Sequence, residues 1–249
     1  MIKSDKLLKL SSLGQSIWYD NLSRELLNDG SLKELIATGI LGLTSNPAIF
    51  EKAISSSDIY DNDIRAMSEL NKSDIEIYEE LAVSDIQSAA DLLFDTYIAT
   101  DKIDGLVSLE VNPHLANDTQ GTILEAKRLF KQVNRPNLMI KVPATPEGIP
   151  AIEHLIGEGI SVNVTLIFSL ESYKEVVAAY LSGISSFINK SGDPTSVASV
   201  ASIFVGRVDT AINKSIEDLN LESKITKGFA GVANAISAYD YFKESFSSG

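Results

Sequence analysis

Asn137-Leu138-Met139-Ile140-Lys141-Val142-Pro143 combines a nearly continuous apolar run with a single lysine. A short run of this kind is typical of a strand that is buried on both faces of a parallel sheet. A lysine at the end of such a strand loses hydration, which favours the neutral amine, and a neutral amine attacks carbonyl carbons. Lys141 is therefore a candidate nucleophile that forms a Schiff base. The alternative is an ordinary lysine whose aliphatic stem lets the ammonium group reach solvent.

Six short apolar runs, rich in Ile, Val and Leu, alternate with longer segments of helical period. This alternation predicts repeated βα units and an α/β fold of the (β/α)8 TIM-barrel type. A closed barrel has eight strands, so six runs predict a barrel truncated to about six βα units. We expect a single, partial domain over residues 1–249. The six runs lie near residues 16–20, 41–45, 106–111, 138–142, 161–168 and 197–204.

Helix starts are marked by capping residues. Ser73-Asp-Ile-Glu76 is a capping box that precedes an amphipathic stripe. Asn46 and Thr145 each precede a proline, which predicts helices that begin at Pro47 and Pro146. The long helical stretch from Pro47 to about Thr100 predicts an inserted helical layer before the third strand. The apolar stripe consists of Ile75, Tyr78, Leu81, Ala82, Ile86, Ala89, Leu93 and Tyr97.

Composition excludes several classes of function. A net charge of -13 argues against a broad surface for nucleic acid or anionic membranes, because the protein repels phosphate polymers. No cysteine is present, which excludes disulfides and thiolate metal sites and suits a cytoplasmic protein. The sequence has no signal-peptide pattern and no apolar segment long enough to span a bilayer. His114 and His154 are far apart in the sequence, so we predict no metal site.

Polar side chains follow the ends of the predicted strands. In a βα barrel, reactive groups gather at the carboxyl ends of the strands, and two carboxylates beside an amine would supply acid, base and nucleophile. Each residue also has a structural interpretation. Asn46 is a candidate helix cap, Asn163 and Thr165 are candidate hydrogen-bonded core residues, and Arg207 has a candidate ion-pair partner in Asp209. The strand-end residues include Asp20, Thr44, Asn46, Glu110, Lys141, Asn163, Thr165, Ser202, Phe204 and Arg207.

Several segments resemble transaldolase, and specifically its longer bacterial form, which has a helical insertion before the third strand. The similarity runs from about residue 13 to the end of the sequence. It implies a class I, Schiff-base transferase of the pentose phosphate pathway. Such an enzyme transfers a dihydroxyacetone unit from sedoheptulose 7-phosphate or fructose 6-phosphate to an aldose phosphate. The matching segments are 16–21, 43–52, 107–111, 137–148, 163–169 and 200–207.

The resemblance also implies roles for individual residues. Lys141 would form the imine, Asp20 would take the proton of the C4 hydroxyl, and Glu110 would transfer protons through a water molecule held with Thr165. The protonated imine is the electron sink, so neither a metal nor an organic cofactor is implied. Arg207 would bind the distal phosphate. The full set of substrate-binding residues would be Thr44, Asn46, Asn163, Ser202, Phe204 and Arg207.

Family members continue for two more strands, which have no counterpart in this sequence. Three alternatives therefore remain open. The first is a transaldolase or its catalytic portion, and the second is a related aldolase or hydrolytic variant that releases free dihydroxyacetone. The third is a truncated scaffold, weakly active or inactive, that binds sugar phosphate or a partner chain. Two exposed sheet edges would favour a homo-oligomer or a complementing C-terminal chain.

Overall fold

The computed structural model describes residues 5–219 and 228–247. Each of the six predicted runs overlaps one strand in these residues. The strands are β1 (Ile17–Asp20), β2 (Ile40–Thr44), β3 (Leu106–Glu110), β4 (Leu138–Pro143), β5 (Val162–Ile167) and β6 (Ser199–Ile203). The helices are α1 (Asp5–Ser12), α2 (Arg24–Asn28), α3 (Ser31–Thr38), α4 (Pro47–Ser55), α5 (Asp61–Glu69), α6 (Asp74–Ala99), α7 (Thr119–Val133), α8 (Gly148–Ile156), α9 (Leu170–Asn189), α10 (Val205–Asp218) and α11 (Ala230–Phe246).

The residues divide into two compact units, whose boundaries cross α7 and β4. Unit 1 extends to Leu115 and also contains Ile123–Lys141, and unit 2 contains Ala116–Thr122 and the residues from Val142 onward. In unit 1, β1 pairs with β2, β2 with β3 and β3 with β4, all parallel. In unit 2, β5 and β6 are a parallel pair. Parallel strands with intervening helices confirm the α/β fold of TIM-barrel type, while the prediction of a single domain stays a prediction.

The register of unit 1 separates its strand side chains into two faces. One face carries branched apolar residues, because Leu43, Val107 and Leu138 are in register and fully buried. The other face mixes polar and apolar residues, because side chains alternate along a strand and Thr44, Ser108 and Met139 are one position further on. In β3, Val107 and Leu109 belong to the first face, and Ser108 and Glu110 belong to the second. The second face is where the candidate residues of unit 1 lie.

The glycine in β2 makes room for the tryptophan of β1. Trp18 and Gly42 are partners in the register, so they lie on the same face as Asp20 and Thr44. A Cβ atom at Gly42 would lie 2.4 Å from the indole ring of Trp18. The ring therefore packs directly on the backbone of β2, and a side chain at position 42 would displace it.

The helical layer predicted between the second and third strands is present. It consists of α4, a single 3-10 turn (Asp58–Tyr60), α5 and the 26-residue helix α6. The predicted capping box is confirmed: Ser73 Oγ accepts from the N–H of Glu76, and the Glu76 carboxylate accepts from the N–H of Ser73. Buried apolar residues fasten the layer together, with Ala53, Tyr60, Ile77 and Leu81 in one cluster.

Two details of the helix predictions are wrong. The helix predicted at Pro146 begins at Gly148, because Thr145 Oγ1 accepts from the N–H of Gly148 and closes a turn before the helix. In α6, Ile75 is 69% exposed and Ile77 is buried. Ile75 lies in the first turn, on the side of the helix that faces solvent.

Among the helices of the described residues, none is both long enough and apolar enough to cross a membrane.

Candidate functional site

Lys141 is the centre of a buried polar contact in unit 1. Its residue is 7% exposed, and its Nζ atom lies 3.2 Å from Glu110 Oε2. Nζ also donates to the carbonyl oxygen of Ser45 at 3.1 Å. The side chain therefore does not extend to solvent, which removes the alternative of an ordinary surface lysine. An amine held between a carboxylate and a carbonyl has a fixed direction and a proton acceptor beside it.

Backbone contacts hold Glu110 beside Lys141. The two residues are register partners on β3 and β4, so their side chains leave the sheet on the same face. After Glu110, the N–H of Val111 donates to the carbonyl of Lys141 at 3.1 Å. The N–H of Asn112 donates to Glu125 Oε1 at 3.3 Å. The backbone that follows Glu110 is thus held by β4 and by α7, which limits where the Glu110 side chain can lie.

Tyr78 of the helical layer lies near these carboxylates. Burial, together with the negative charges of Glu110, Glu125 and Glu79, raises the pKa of its phenol to about 12. The ring packs edge-on against Phe50, with 6.2 Å between centroids. Tyr78 therefore keeps its proton at neutral pH and remains a hydrogen-bond donor.

Asp20 and Thr44 lie at the carboxyl ends of β1 and β2. They are register partners, and the alternation of side chains puts them on the same face as Glu110 and Lys141. The Asp20 residue is exposed, and it is three strands away from Lys141 along the sheet. Thr44 Oγ1 is buried and has no hydrogen-bond partner among the described residues. Buried polar atoms are rarely left without a partner, so this hydroxyl is suited to bind a ligand.

Asn46 is a helix cap, as one of its two interpretations predicted. Its Oδ1 accepts from the N–H of Ile49 at 3.0 Å, and α4 begins at the next residue, Pro47. Because the backbone donor requires the oxygen of the amide, the cap fixes which end of the side chain faces the helix. No hydrogen bond from Nδ2 is present within residues 5–219 and 228–247, so capping leaves this donor for a ligand.

Unit 2 contains a second group of candidate residues. Asn163 and Thr165 of β5 are 2% and 1% exposed. Asn163 Oδ1 accepts from Ser202 Oγ at 2.8 Å. Asn163 pairs with Val200 in the register, and Ser202 is two residues further on, so both polar side chains belong to one face of the strand pair.

Arg207 lies in the first turn of α10, beyond the end of β6. Its guanidinium carbon is 4.8 Å from the centroid of the Phe204 ring, and Phe204 stacks on Phe168 with 5.3 Å between centroids. The ion pair with Asp209, the structural alternative for Arg207, is absent from the described residues. Asp209 Oδ1 instead accepts from the N–H of Gly231 at 2.8 Å. Two stacked rings thus support a planar cation whose five donors are suited to an anion such as phosphate.

Two contributors were missed at the level of sequence. Ser45 enters through its backbone carbonyl, and a carbonyl has no signature in the sequence. Its hydroxyl donates to the carbonyl of Ser108 at 2.8 Å and holds the segment in place. Phe168 supports Phe204. Both aromatic residues lie within a few positions of a polar strand-end residue in the sequence, and this proximity could have identified Phe168 as part of the site. Among the described residues, no cluster of three or more His, Cys, Asp or Glu side chains is arranged to hold a metal ion.

Comparison with known proteins gives a consistent result. The family model described as Transaldolase/Fructose-6-phosphate aldolase matches residues 17–248. A protein named Transaldolase 2 from Nostoc sp. is 45% identical over 96% of this chain and 65% of its own length. A protein named Transaldolase from Thermobifida fusca is 47% identical over 97% of this chain and 66% of its own length. The chain therefore spans slightly less than two thirds of the length of these relatives.

Proposed function

Because the chain belongs to the transaldolase/fructose-6-phosphate aldolase family, we propose that it transfers a dihydroxyacetone unit from a ketose phosphate to an aldose phosphate through a Schiff base on Lys141. The donor is sedoheptulose 7-phosphate or fructose 6-phosphate, as in the pentose phosphate pathway, and the reaction takes place in the cytoplasm. The observation that carries the proposal is the buried Lys141 amine, 3.2 Å from the Glu110 carboxylate.

Imine formation requires the amine to lose a proton and later requires a hydroxyl group to gain one. Glu110 is the carboxylate in contact with Nζ, so it accepts the proton that leaves the amine before Nζ attacks the C2 carbonyl. The resulting carbinolamine releases water when its hydroxyl is protonated, and Glu110 returns the proton for this step. We assign to Thr165 the holding of the water molecule that carries it.

Carbon-carbon cleavage requires a base at the C4 hydroxyl. Asp20 takes that proton, the C3–C4 bond breaks, and C4 becomes the aldehyde carbon of the departing aldose phosphate. The electron pair of the broken bond moves into the protonated imine and forms an enamine on Lys141. The same steps in reverse add the three-carbon unit to an acceptor aldehyde. An exposed carboxylate on the same face as Lys141 supports this role for Asp20.

The remaining residues bind the substrate in this proposal. The hydroxyl groups of the three-carbon unit contact Thr44 Oγ1, Asn46 Nδ2 and the Asn163–Ser202 pair. The Thr44 hydroxyl, which has no hydrogen-bond partner among the described residues, and the oriented Asn46 amide support this assignment. Arg207 binds the phosphate, with Phe204 as its support. An arginine fork matches the geometry of phosphate oxygens better than a lysine does.

Trapping with borohydride tests the nucleophile. The 249-residue protein is incubated with fructose 6-phosphate, reduced and digested, and the adduct is located by mass spectrometry. We expect a stable three-carbon adduct on Lys141 and none in the Lys141→Arg variant, since arginine forms no such imine. Lys190→Arg is the matched control, because the Lys190 amine also donates to a backbone carbonyl, at 2.9 Å from Gly157 O. An unmodified Lys141 in the wild-type protein would show that the proposal is wrong.

An acceptor separates the transferase from the alternatives. A transaldolase stays slow with fructose 6-phosphate alone and becomes fast when erythrose 4-phosphate is added. A fructose-6-phosphate aldolase, the other activity in the description of the family model, releases free dihydroxyacetone without an acceptor. A scaffold without activity would show a melting temperature that rises with sugar phosphate and no turnover under either condition.

A further inference from the structure

A buried carboxylate joins the helical layer of unit 1 to the segment that follows β1. Asp85 of α6 is 2% exposed, and both of its oxygens accept hydrogen bonds. Oδ1 accepts from Arg24 Nε at 2.9 Å, and Oδ2 accepts from Tyr60 Oη at 2.8 Å. We call Arg24, Tyr60 and Asp85 the anchor cluster. Within the part of the chain that the structure describes, none of the hydrogen bonds of these three residues involves Lys141 or Glu110.

The anchor cluster holds the main chain of Arg24 as well as its side chain. The backbone N–H of Arg24 donates to Tyr60 Oη at 2.8 Å. The guanidinium group lies over the Tyr60 ring, with its carbon 4.5 Å from the centroid, and also pairs with the exposed Asp63. Tyr60 thus accepts from the backbone of Arg24 while it donates to Asp85. Residue 24 is fixed by four separate contacts.

Such a cluster is a poor source of stability in itself. Burial raises the pKa of Asp85 above its ordinary value, although the hydrogen bond from Tyr60 and the charge of Arg24 act in the opposite direction. Replacing a buried ion pair by apolar side chains is often neutral or stabilising. Hydrogen bonds differ from apolar packing in that they fix the relative positions of the groups, since each donor and acceptor is paired at a defined distance and angle.

The fixed position of Arg24 matters because Arg24 is only four residues after Asp20, the proposed base. Asp20 ends β1, Leu22 is fully buried, and the Ser23 side chain caps α2 by accepting from the N–H of Leu26 at 3.2 Å. The segment from Asp20 to Arg24 is therefore held by sheet pairing at one end and by the anchor cluster at the other. Asp20 itself is exposed, so its carboxylate takes its position from its backbone.

We propose that Arg24, Tyr60 and Asp85 are positioning residues for Asp20, so that the inserted helices set the place of the base that cleaves the carbon-carbon bond. The proposal rests on the function proposed above. Lys141 and Glu110 depend on other contacts, namely β3–β4 pairing and the carbonyl of Ser45. Loosening the anchor cluster should therefore impair cleavage and leave imine formation largely intact.

The test uses Asp85→Asn and Tyr60→Phe in the full 249-residue chain. Asp91→Asn is the matched control: Asp91 lies on the same helix and also pairs with an arginine, Arg135, but on the surface. The first readout is hydrogen-deuterium exchange of the backbone in residues 20–26. We expect exchange to rise about tenfold in both anchor variants, because a hydrogen-bonded network opens more often when one member is lost, and to be unchanged in the control. Exchange in β4 should stay at its wild-type rate.

The second readout separates the two chemical steps. Borohydride added at an early time traps a six-carbon adduct on Lys141 before cleavage and a three-carbon adduct afterwards. We expect the anchor variants to reach wild-type total adduct within about twofold, with cleavage slowed by ten- to a hundredfold, since small displacements of a reacting group have effects of that size. The adducts should therefore shift towards the six-carbon form. The control should keep the wild-type proportions.

Each result decides the proposal. Unchanged exchange in residues 20–26 of both anchor variants overturns it, whatever the activity. A fall in total adduct that matches the fall in cleavage also overturns it, because that pattern indicates general destabilisation. If Asp85→Asn fails to fold, Tyr60→Phe carries the test, since it keeps the charge pair. If the wild-type protein forms no adduct, the proposed function fails, and the exchange measurement still shows whether the cluster fixes this segment.

Discussion

The contact between Lys141 and Glu110 predicts strong coupling between the two residues in stability. The two side chains are 8% and 14% exposed, and their charged atoms are 3.2 Å apart. At that distance the attraction is about 5 kcal/mol for an effective dielectric constant near 20, before the loss of hydration is subtracted. Removing one partner of a buried pair typically destabilises a protein by about 3–5 kcal/mol, since it leaves a buried charge without compensation.

The perturbation is a double-mutant cycle with Lys141→Met and Glu110→Gln. We expect each single variant to lose about 2–3 kcal/mol of unfolding free energy, below the usual range, because the amine keeps the Ser45 carbonyl and Glu110 keeps some contact with water. The double variant carries no buried charge at these positions and should lose about 1 kcal/mol or less. The coupling energy should therefore be at least about 3 kcal/mol.

Urea unfolding monitored by fluorescence measures the cycle. Trp18 is the one tryptophan of the chain and lies in unit 1, the unit that contains both residues. The comparison requires equal m-values for the four proteins, so that a change in midpoint reports stability alone. Single variants that each lose less than about 1 kcal/mol, and a double variant that equals their sum, would refute the idea of a desolvated pair.

Three further predictions concern other parts of the chain. Phe168→Leu should raise the KM for erythrose 4-phosphate severalfold and leave kcat and the KM for unphosphorylated erythrose unchanged. The reason is that it removes the ring that stacks on Phe204, which in turn supports the Arg207 guanidinium. Equal effects on the two acceptors would contradict this prediction. The hydrogen bond from Ser73 lowers the pKa of Glu76, so its contribution to stability is present above the unfolded value of about 4.3 and is lost as the pH falls through the folded value. Glu76→Gln should therefore lower the urea midpoint at pH 7 and have no effect at low pH, and a difference that stays constant with pH would count against this. Leu166 has a φ angle of 60°, so Leu166→Gly should raise the unfolding free energy by about 0.5–1 kcal/mol in thermal melts, whereas a loss would mean that its side-chain packing outweighs the backbone strain.

Local patterns were sufficient to predict most of the elements. Each of the six apolar runs overlaps one of the six strands, because strands of a parallel sheet that is packed against helices are rich in apolar residues. The capping box at Ser73 and the cap at Asn46 were predictable because a helix cap involves residues only three or four positions apart. The helix start at Pro146 was wrong because Thr145 caps the N–H of Gly148 within a turn, and a sequence motif does not distinguish these two arrangements.

Contacts over long sequence distances could not be predicted in the same way. Ser45 contributes a carbonyl to an amine that is 96 residues away in the sequence, and no side-chain pattern marks such an acceptor. Asp85 had a readable signal that was missed. It lies four residues after Leu81 and four before Ala89, on the buried side of α6. A carboxylate at such a position requires a buried partner, although the sequence does not say which residue provides it.

The two carboxylates of the proposed reaction are held in different ways, and this difference fits their tasks. Glu110 has to stay within proton-transfer distance of one atom, Lys141 Nζ, during proton loss and dehydration. Its position as the register partner of Lys141 on the neighbouring strand keeps it there. Asp20 has to meet a hydroxyl two carbons away from the imine carbon. Its register partner is Thr44, but its exposed carboxylate makes no hydrogen bond or ion pair among the described residues. The contacts of Arg24 with α6 and the turn at Tyr60 provide the missing support from outside the sheet. Loosening the contacts between Arg24 and the helical layer should therefore slow cleavage more than it slows imine formation on Lys141.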